Sequence, residues 1–181
     1  MINRLSETIA IKIKNANPEE TASVAVMTFA LVSILQHIIT ISLILLIGAA
    51  TGHFIDACIV NVSFIVLRLF SGGFHFRSSA LCILVSTVAM APIPILAPYV
   101  TPRLALVLTI ASFVIAVIYA PTNVKRTRIK PSQYPIYKLI SLLIISVNFY
   151  VNSPYVAAAF FIQAISTIQI NGGETNGKAS S

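Results

Sequence analysis

Residues 24–47 read VAVMTFALVSILQHIITISLILLI. The run contains no Asp, Glu, Lys or Arg, and Gln36 and His37 are its only strongly polar members. As a helix it would rise about 36 Å, more than the roughly 30 Å hydrocarbon core of a bilayer. Its apolar residues occupy every face, whereas a helix on the surface of a soluble domain keeps a polar side. The stretch therefore predicts a transmembrane helix, and the same reading extends outward in both directions.

Toward the C-terminus, apolar runs recur at about 54–70, 80–97, 104–120, 139–151 and 155–170. Asp56 and Arg68 fall near the ends of the second run, where long side chains reach the interface. Pro92, Pro94 and Pro98 kink or end the third run. Asn152-Ser153-Pro154 interrupts the last apolar stretch and predicts a helical hairpin. The expected fold is all-α and polytopic, with about six transmembrane helices in one membrane domain over 1–170. Residues 171–181, rich in Gly and Ser, predict a flexible tail.

Toward the N-terminus, Ile2, Leu5, Ile9 and Ile13 recur every three or four residues, with Arg4, Glu7, Lys12 and Lys14 off that stripe. Residues 1–17 thus predict an amphipathic helix lying on the membrane surface. The first long apolar run begins only near Val24, so no signal peptide is expected.

Composition agrees. Of 181 residues, 57% are hydrophobic and 9% charged, against about 25% charged in soluble domains. With no Trp present, six Tyr near the ends of the runs supply the interfacial aromatics. The net charge of +7 comes from residues between the runs, which points to membrane topology and away from nucleic acid. With the N-terminus inside, eleven of the twelve Lys and Arg fall on cytoplasmic segments and only Arg103 falls outside. This asymmetry predicts cytoplasmic N- and C-termini. Two cysteines, Cys58 and Cys82, do not make a disulfide framework.

One inner-face segment combines chemistry-bearing residues. Residues 66–86 read VLRLFSGGFHFRSSALCILVS. Gly72-Gly73 allows a tight turn. Ser78 or Ser79 can cap the third span, which places Cys82 in or just past its first turn. Unpaired N–H groups and the helix dipole favour a thiolate there. His75 lies seven residues earlier. On one continuous helix the two would be about 10 Å apart along the axis, too far for proton transfer. A dyad requires the Gly-Gly-Phe-His segment to fold back over the helix start. The plainer readings are a small buried Cys and an interfacial His. His37, His53 and Asp56 lack the spacing of a metal site, and no metal or cofactor is expected. Cys58 has no basic neighbour within its run and reads as structural.

The pattern formed by Arg68, Gly72, Gly73, His75 and Cys82 resembles the accessory gene regulator B (AgrB) family. The stretch YAPTNVKRTRIKP at 119–131 looks like that family's Tyr-Ala-Pro signature entering a basic loop. The similarity covers nearly the whole chain. It implies a membrane cysteine peptidase that processes an AgrD-like propeptide for quorum sensing in the plasma membrane of a Gram-positive bacterium. In that reading Cys82 is the nucleophile and His75 the general base and later acid. Arg68, Gly72 and Gly73 shape the site. Lys125, Arg126, Arg128 and Lys130 meet an acidic substrate tail or anionic lipid. The family also tends to carry Glu or Gln in the first span; Gln36 is the best candidate here and does not align cleanly with that position, so no third catalytic partner is assigned. The implied product is a thiolactone or lactone ring formed through a Cys thioester, and the resemblance is compatible with a homodimer. The competing readings are a small membrane transporter or peptide exporter, and a non-catalytic scaffold that binds through the basic loop.

Overall fold

The computed structural model describes residues 2–74, 78–122 and 131–168. The described chain is all-α. It comprises α1 (Ile2–Ala16), α2 (Val24–Ala50), α3 (Phe54–Ser71), α4 (Ser79–Met90), the single-turn α5 (Ile93–Leu96), α6 (Pro102–Tyr119), α7 (Tyr134–Val151) and α8 (Pro154–Thr167). Short 3-10 turns occupy Ala97–Tyr99 and Pro131–Gln133. Among the described residues, five segments are long and apolar enough to cross a membrane: α2, α3, the Ser79–Tyr99 stretch, α6 and α7. The sixth apolar helix, α8, has 14 residues and spans only about 21 Å. The protein is thus a multi-pass helical membrane protein whose last apolar helix is shorter than a full crossing.

Local sequence explains the element ends. Ser23 caps α2 by accepting from Val26 N–H. The third apolar run is a regular helix only as far as Met90. Pro92 and Pro94 have no N–H to continue the ladder, and the chain re-forms one turn in which Leu96 N–H donates to Pro92 O at 2.9 Å. α7 starts at Tyr134, five residues before the hydropathy-based boundary at 139, because Pro135 suits a first turn where no N–H partner is needed.

The chain forms two compact units: residues 1–63 with 75–101, and residues 64–74 with 102–181. The boundary falls within α3. In the first unit, α1 packs on α2 and α2 on α4. The buried face of α1 is Ser6 and Ala10, both 0% exposed. Leu5 and Ile13, members of the apolar stripe seen in sequence, are outward and exposed. Small residues let helix backbones approach closely, and the larger side chains are left for the surrounding apolar medium.

In the second unit, α6 packs on α7 and α8. Leu67, Ala116, Ala120, Ile145 and Phe160 make its apolar core. The α7–α8 hairpin turns on Asn152, which adopts φ 48°, and Ser153 caps α8. Asn148, 1% exposed, holds the turn to α6. Its Nδ2 donates to Thr109 Oγ1 at 2.9 Å and to Ser153 O at 3.3 Å, and its Oδ1 accepts from Ser153 N–H at 3.1 Å.

Candidate functional site

The twin glycines follow directly from the end of α3. Gly72 N–H closes the last helical turn by donating to Arg68 O at 3.0 Å. Gly72 then adopts φ 72° and Gly73 φ 153°, a left-handed excursion that side chains with a Cβ resist. Space restricts them as much as torsion does. A Cβ on Gly72 would overlap the carbonyl oxygen of Thr122. One on Gly73 would lie 2.6 Å from Arg68 Nη1 and 2.9 Å from Ser166 Oγ.

The close neighbour of Gly72 is the Tyr-Ala-Pro-Thr segment that leaves α6. Thr122 N–H donates to Ser71 O at 3.0 Å, and Gly72 and Thr122 form a parallel bridge. The Gly-Gly and Tyr-Ala-Pro signatures, some fifty residues apart in sequence, are therefore paired backbone to backbone.

Arg68 is turned into the protein, where a residue near a span end was expected to extend to the interface. Its Nη1 donates to Gln163 Oε1 at 3.1 Å and to Ser166 Oγ at 3.3 Å. Its Nη2 donates to Phe74 O at 3.2 Å. The guanidinium carbon also lies 5.6 Å from the centroid of the Phe64 ring, within cation–π range. Gln163, 0% exposed, completes the cluster by donating from Nε2 to Ser71 Oγ at 2.9 Å and Gly72 O at 2.6 Å. Phe74 N–H donates to Ser166 O at 2.7 Å. Gly72 through Phe74 are thus held by α8 and by Arg68. Gln163 and Ser166 went unsingled in the sequence reading. The available signal was an amide and a hydroxyl three residues apart inside an otherwise apolar helix.

Cys82 lies in the other unit. Ser78 is the N-cap of α4: its Oγ accepts from Leu81 N–H at 3.4 Å, and its carbonyl accepts from Cys82 N–H at 3.0 Å. Cys82 is the first residue of α4 whose N–H makes an i→i−4 bond, directly after the Leu81 N–H that Ser78 caps, and it is 8% exposed. One residue after the cap, Ser79 Oγ donates to Asn3 Oδ1 of α1 at 2.8 Å. Cys58 is half-buried. Gln36 is buried in α2 at 5% exposure. His53 and Asp56 pair at 3.0 Å at the start of α3. Among the described residues, no three His, Cys, Asp or Glu side chains are grouped to hold a metal ion. His75, Arg77, Lys125, Arg126, Arg128 and Lys130 lie outside the described residues.

The family model described as accessory gene regulator B matches residues 6–170, almost the entire described chain. The chain belongs to the accessory gene regulator B family. It is 36% identical over 93 residues to a putative AgrB-like protein of Halalkalibacterium halodurans, covering 51% of this chain and 47% of that one. It is 28% identical over 120 residues to the accessory gene regulator protein B of Staphylococcus intermedius, covering 65% of this chain and 62% of that one. The chain thus spans about half to three-fifths of the length of these curated relatives. No solved structure matches it. Membership in the family supports a role in the accessory gene regulator quorum-sensing system.

Proposed function

We propose that this protein is a membrane cysteine endopeptidase that removes the C-terminal tail of an AgrD-like propeptide and leaves the remainder ready to cyclise. The observation that carries the reading is the family match over 6–170, with Arg68, Gly72, Gly73, His75 and Cys82 all inside it. The position of Cys82 supports it. Cys82 sits in the capped first turn of α4, directly after the Leu81 N–H that Ser78 holds.

In this mechanism His75 takes the proton from Cys82 Sγ, and the sulfur attacks the carbonyl carbon at the end of the peptide core. The tetrahedral adduct collapses as His75 returns the proton to the departing amine, so the tail leaves and a thioester remains. A Cys thiol or Ser hydroxyl of the bound peptide then attacks the thioester carbonyl. That step regenerates Cys82 and closes a thiolactone or lactone ring without consuming water. A site at a membrane boundary limits hydrolysis. An amphipathic leader on the same leaflet would confine the peptide near it. The basic run Lys125, Arg126, Arg128 and Lys130 suits an acidic tail or anionic headgroups.

The exporter reading has less support. Buried polar residues of the spans such as Asn61, Asn148 and Gln163 are satisfied by protein partners, whereas a transport path lines several spans with polar groups facing a cavity.

The test is tag release in membranes, using an AgrD-like propeptide with a C-terminal tag on its acidic tail. Cys82→Ala and His75→Ala should each abolish release, and Cys82→Ala should accumulate no thioester. Undiminished release by either variant would refute its assigned role.

A further inference from the structure

We infer that Gln163 and Ser166 of α8 are positioning residues for the catalytic loop, acting through Arg68 and the backbone of Phe74; the inference rests on the peptidase reading above.

The argument begins with a fully buried amide. Gln163 is 0% exposed, and its side chain meets Arg68 at Oε1 and Ser71 and Gly72 at Nε2. An amide can accept at its oxygen and donate through two N–H groups. Gln163 uses both ends, one on the guanidinium and the other on the backbone that turns after α3. The place calls for a neutral side chain with both an acceptor and a donor. A Leu supplies neither, and a Glu would set a carboxylate against the Gly72 carbonyl.

The second component is the peptide of Phe74. Its N–H donates to Ser166 O and its carbonyl accepts from Arg68 Nη2. Ser166 Oγ in turn accepts from Arg68 Nη1 and donates to Gln163 O at 2.7 Å. Both backbone polar groups of Phe74, the residue before His75, are therefore anchored, the N–H by α8 directly and the carbonyl by an arginine that α8 orients. Gly73 closes the arrangement, because its missing Cβ leaves the space that Arg68 Nη1 and Ser166 Oγ occupy.

Such anchoring matters where a general base must sit within hydrogen-bond reach of a thiol. A displacement of about 1 Å is enough to cost roughly a hundredfold in rate. The short last helix is thus tied to the reaction although it carries none of the reacting atoms. Arg68 and Gln163 are 95 residues apart in sequence and meet in one polar cluster.

The experiment needs no peptide substrate. In a Cys58→Ala background, Cys82 is the single thiol, and its alkylation by a small maleimide is followed against pH in native membranes. His75→Ala should remove the step in the pH profile that a thiol–imidazole pair produces. Gln163→Leu and the milder Ser166→Ala should move the profile toward that of His75→Ala and slow labelling at neutral pH about tenfold or more. Melting temperature in detergent is recorded for each. Ser166→Ala leaves the backbone carbonyl that holds Phe74 in place, so it tests positioning even where Gln163→Leu fails to accumulate. A Ser166→Ala protein with a lowered melting temperature and an unchanged pH profile would overturn the inference, leaving these residues purely structural. A flat profile in the parent that His75→Ala does not alter would overturn the peptidase reading itself, which separates the two failures.

Discussion

Gly72 and Gly73 adjoin in sequence and both have positive φ, yet substitution at each should fail differently. A methyl on Gly72 meets main chain, the Thr122 carbonyl, which moves only if the Ser71–Thr122 pairing breaks. A methyl on Gly73 meets the tip of Arg68 and the Ser166 hydroxyl. Those groups shift more cheaply, but in shifting they release Phe74. Each substitution also carries a left-handed penalty, part of the about 1–3 kcal/mol typical of such backbone positions. Gly72→Ala should therefore lower the melting temperature in detergent more than Gly73→Ala. Gly73→Ala should retain most of its stability and lose most tag release. Equal stability losses with equal residual activity would contradict this division.

At the scale of an element, the α7–α8 hairpin depends on one buried amide. Asn148 bonds both to Thr109 of α6 and to the Ser153 backbone. Removing it strands these partners away from water, where an unsatisfied group costs about 1–3 kcal/mol; partners found in the membrane-embedded unfolded state reduce such values. Asn148→Ala should destabilise the protein by about 1–2 kcal/mol, read by thermal or denaturant unfolding in detergent. The turn residue Asn152 should behave oppositely. It holds φ 48°, and its buried Oδ1 has no hydrogen-bond partner among the described residues. Asn152→Gly removes both costs and should be neutral or stabilising by up to about 1 kcal/mol.

At the scale of the whole molecule, the distribution of charge sets the orientation. Cytoplasmic enrichment of Lys and Arg orients multi-pass proteins, and the expected topology puts Arg103 outside and the basic runs inside. In a Cys58→Ala, Cys82→Ala background, Thr101→Cys should react with a membrane-impermeant thiol reagent from outside intact cells. Ser132→Cys should react only after permeabilisation. The reverse pattern would place the basic loop outside and separate it from any cytoplasmic substrate tail.

What the sequence by itself determined was the set of local features: an all-α membrane chain, the proline breaks after Met90, the Asn-Ser-Pro hairpin and the capped start of α4 before Cys82. Each depends on hydropathy, torsion or capping within a window of one or two turns, so each is readable from consecutive residues. The tertiary structure alone decided that Ser71 and Gly72 pair with Thr122, that Arg68 turns inward, and that α8 supplies Gln163 and Ser166 to receive it. It also decided that α1 buries Ser6 and Ala10 and leaves Leu5 outward. These depend on which helix faces meet, and a polar side chain in an apolar helix has no local mark that names a partner 95 residues away; burial makes that partner obligatory, and packing chooses it.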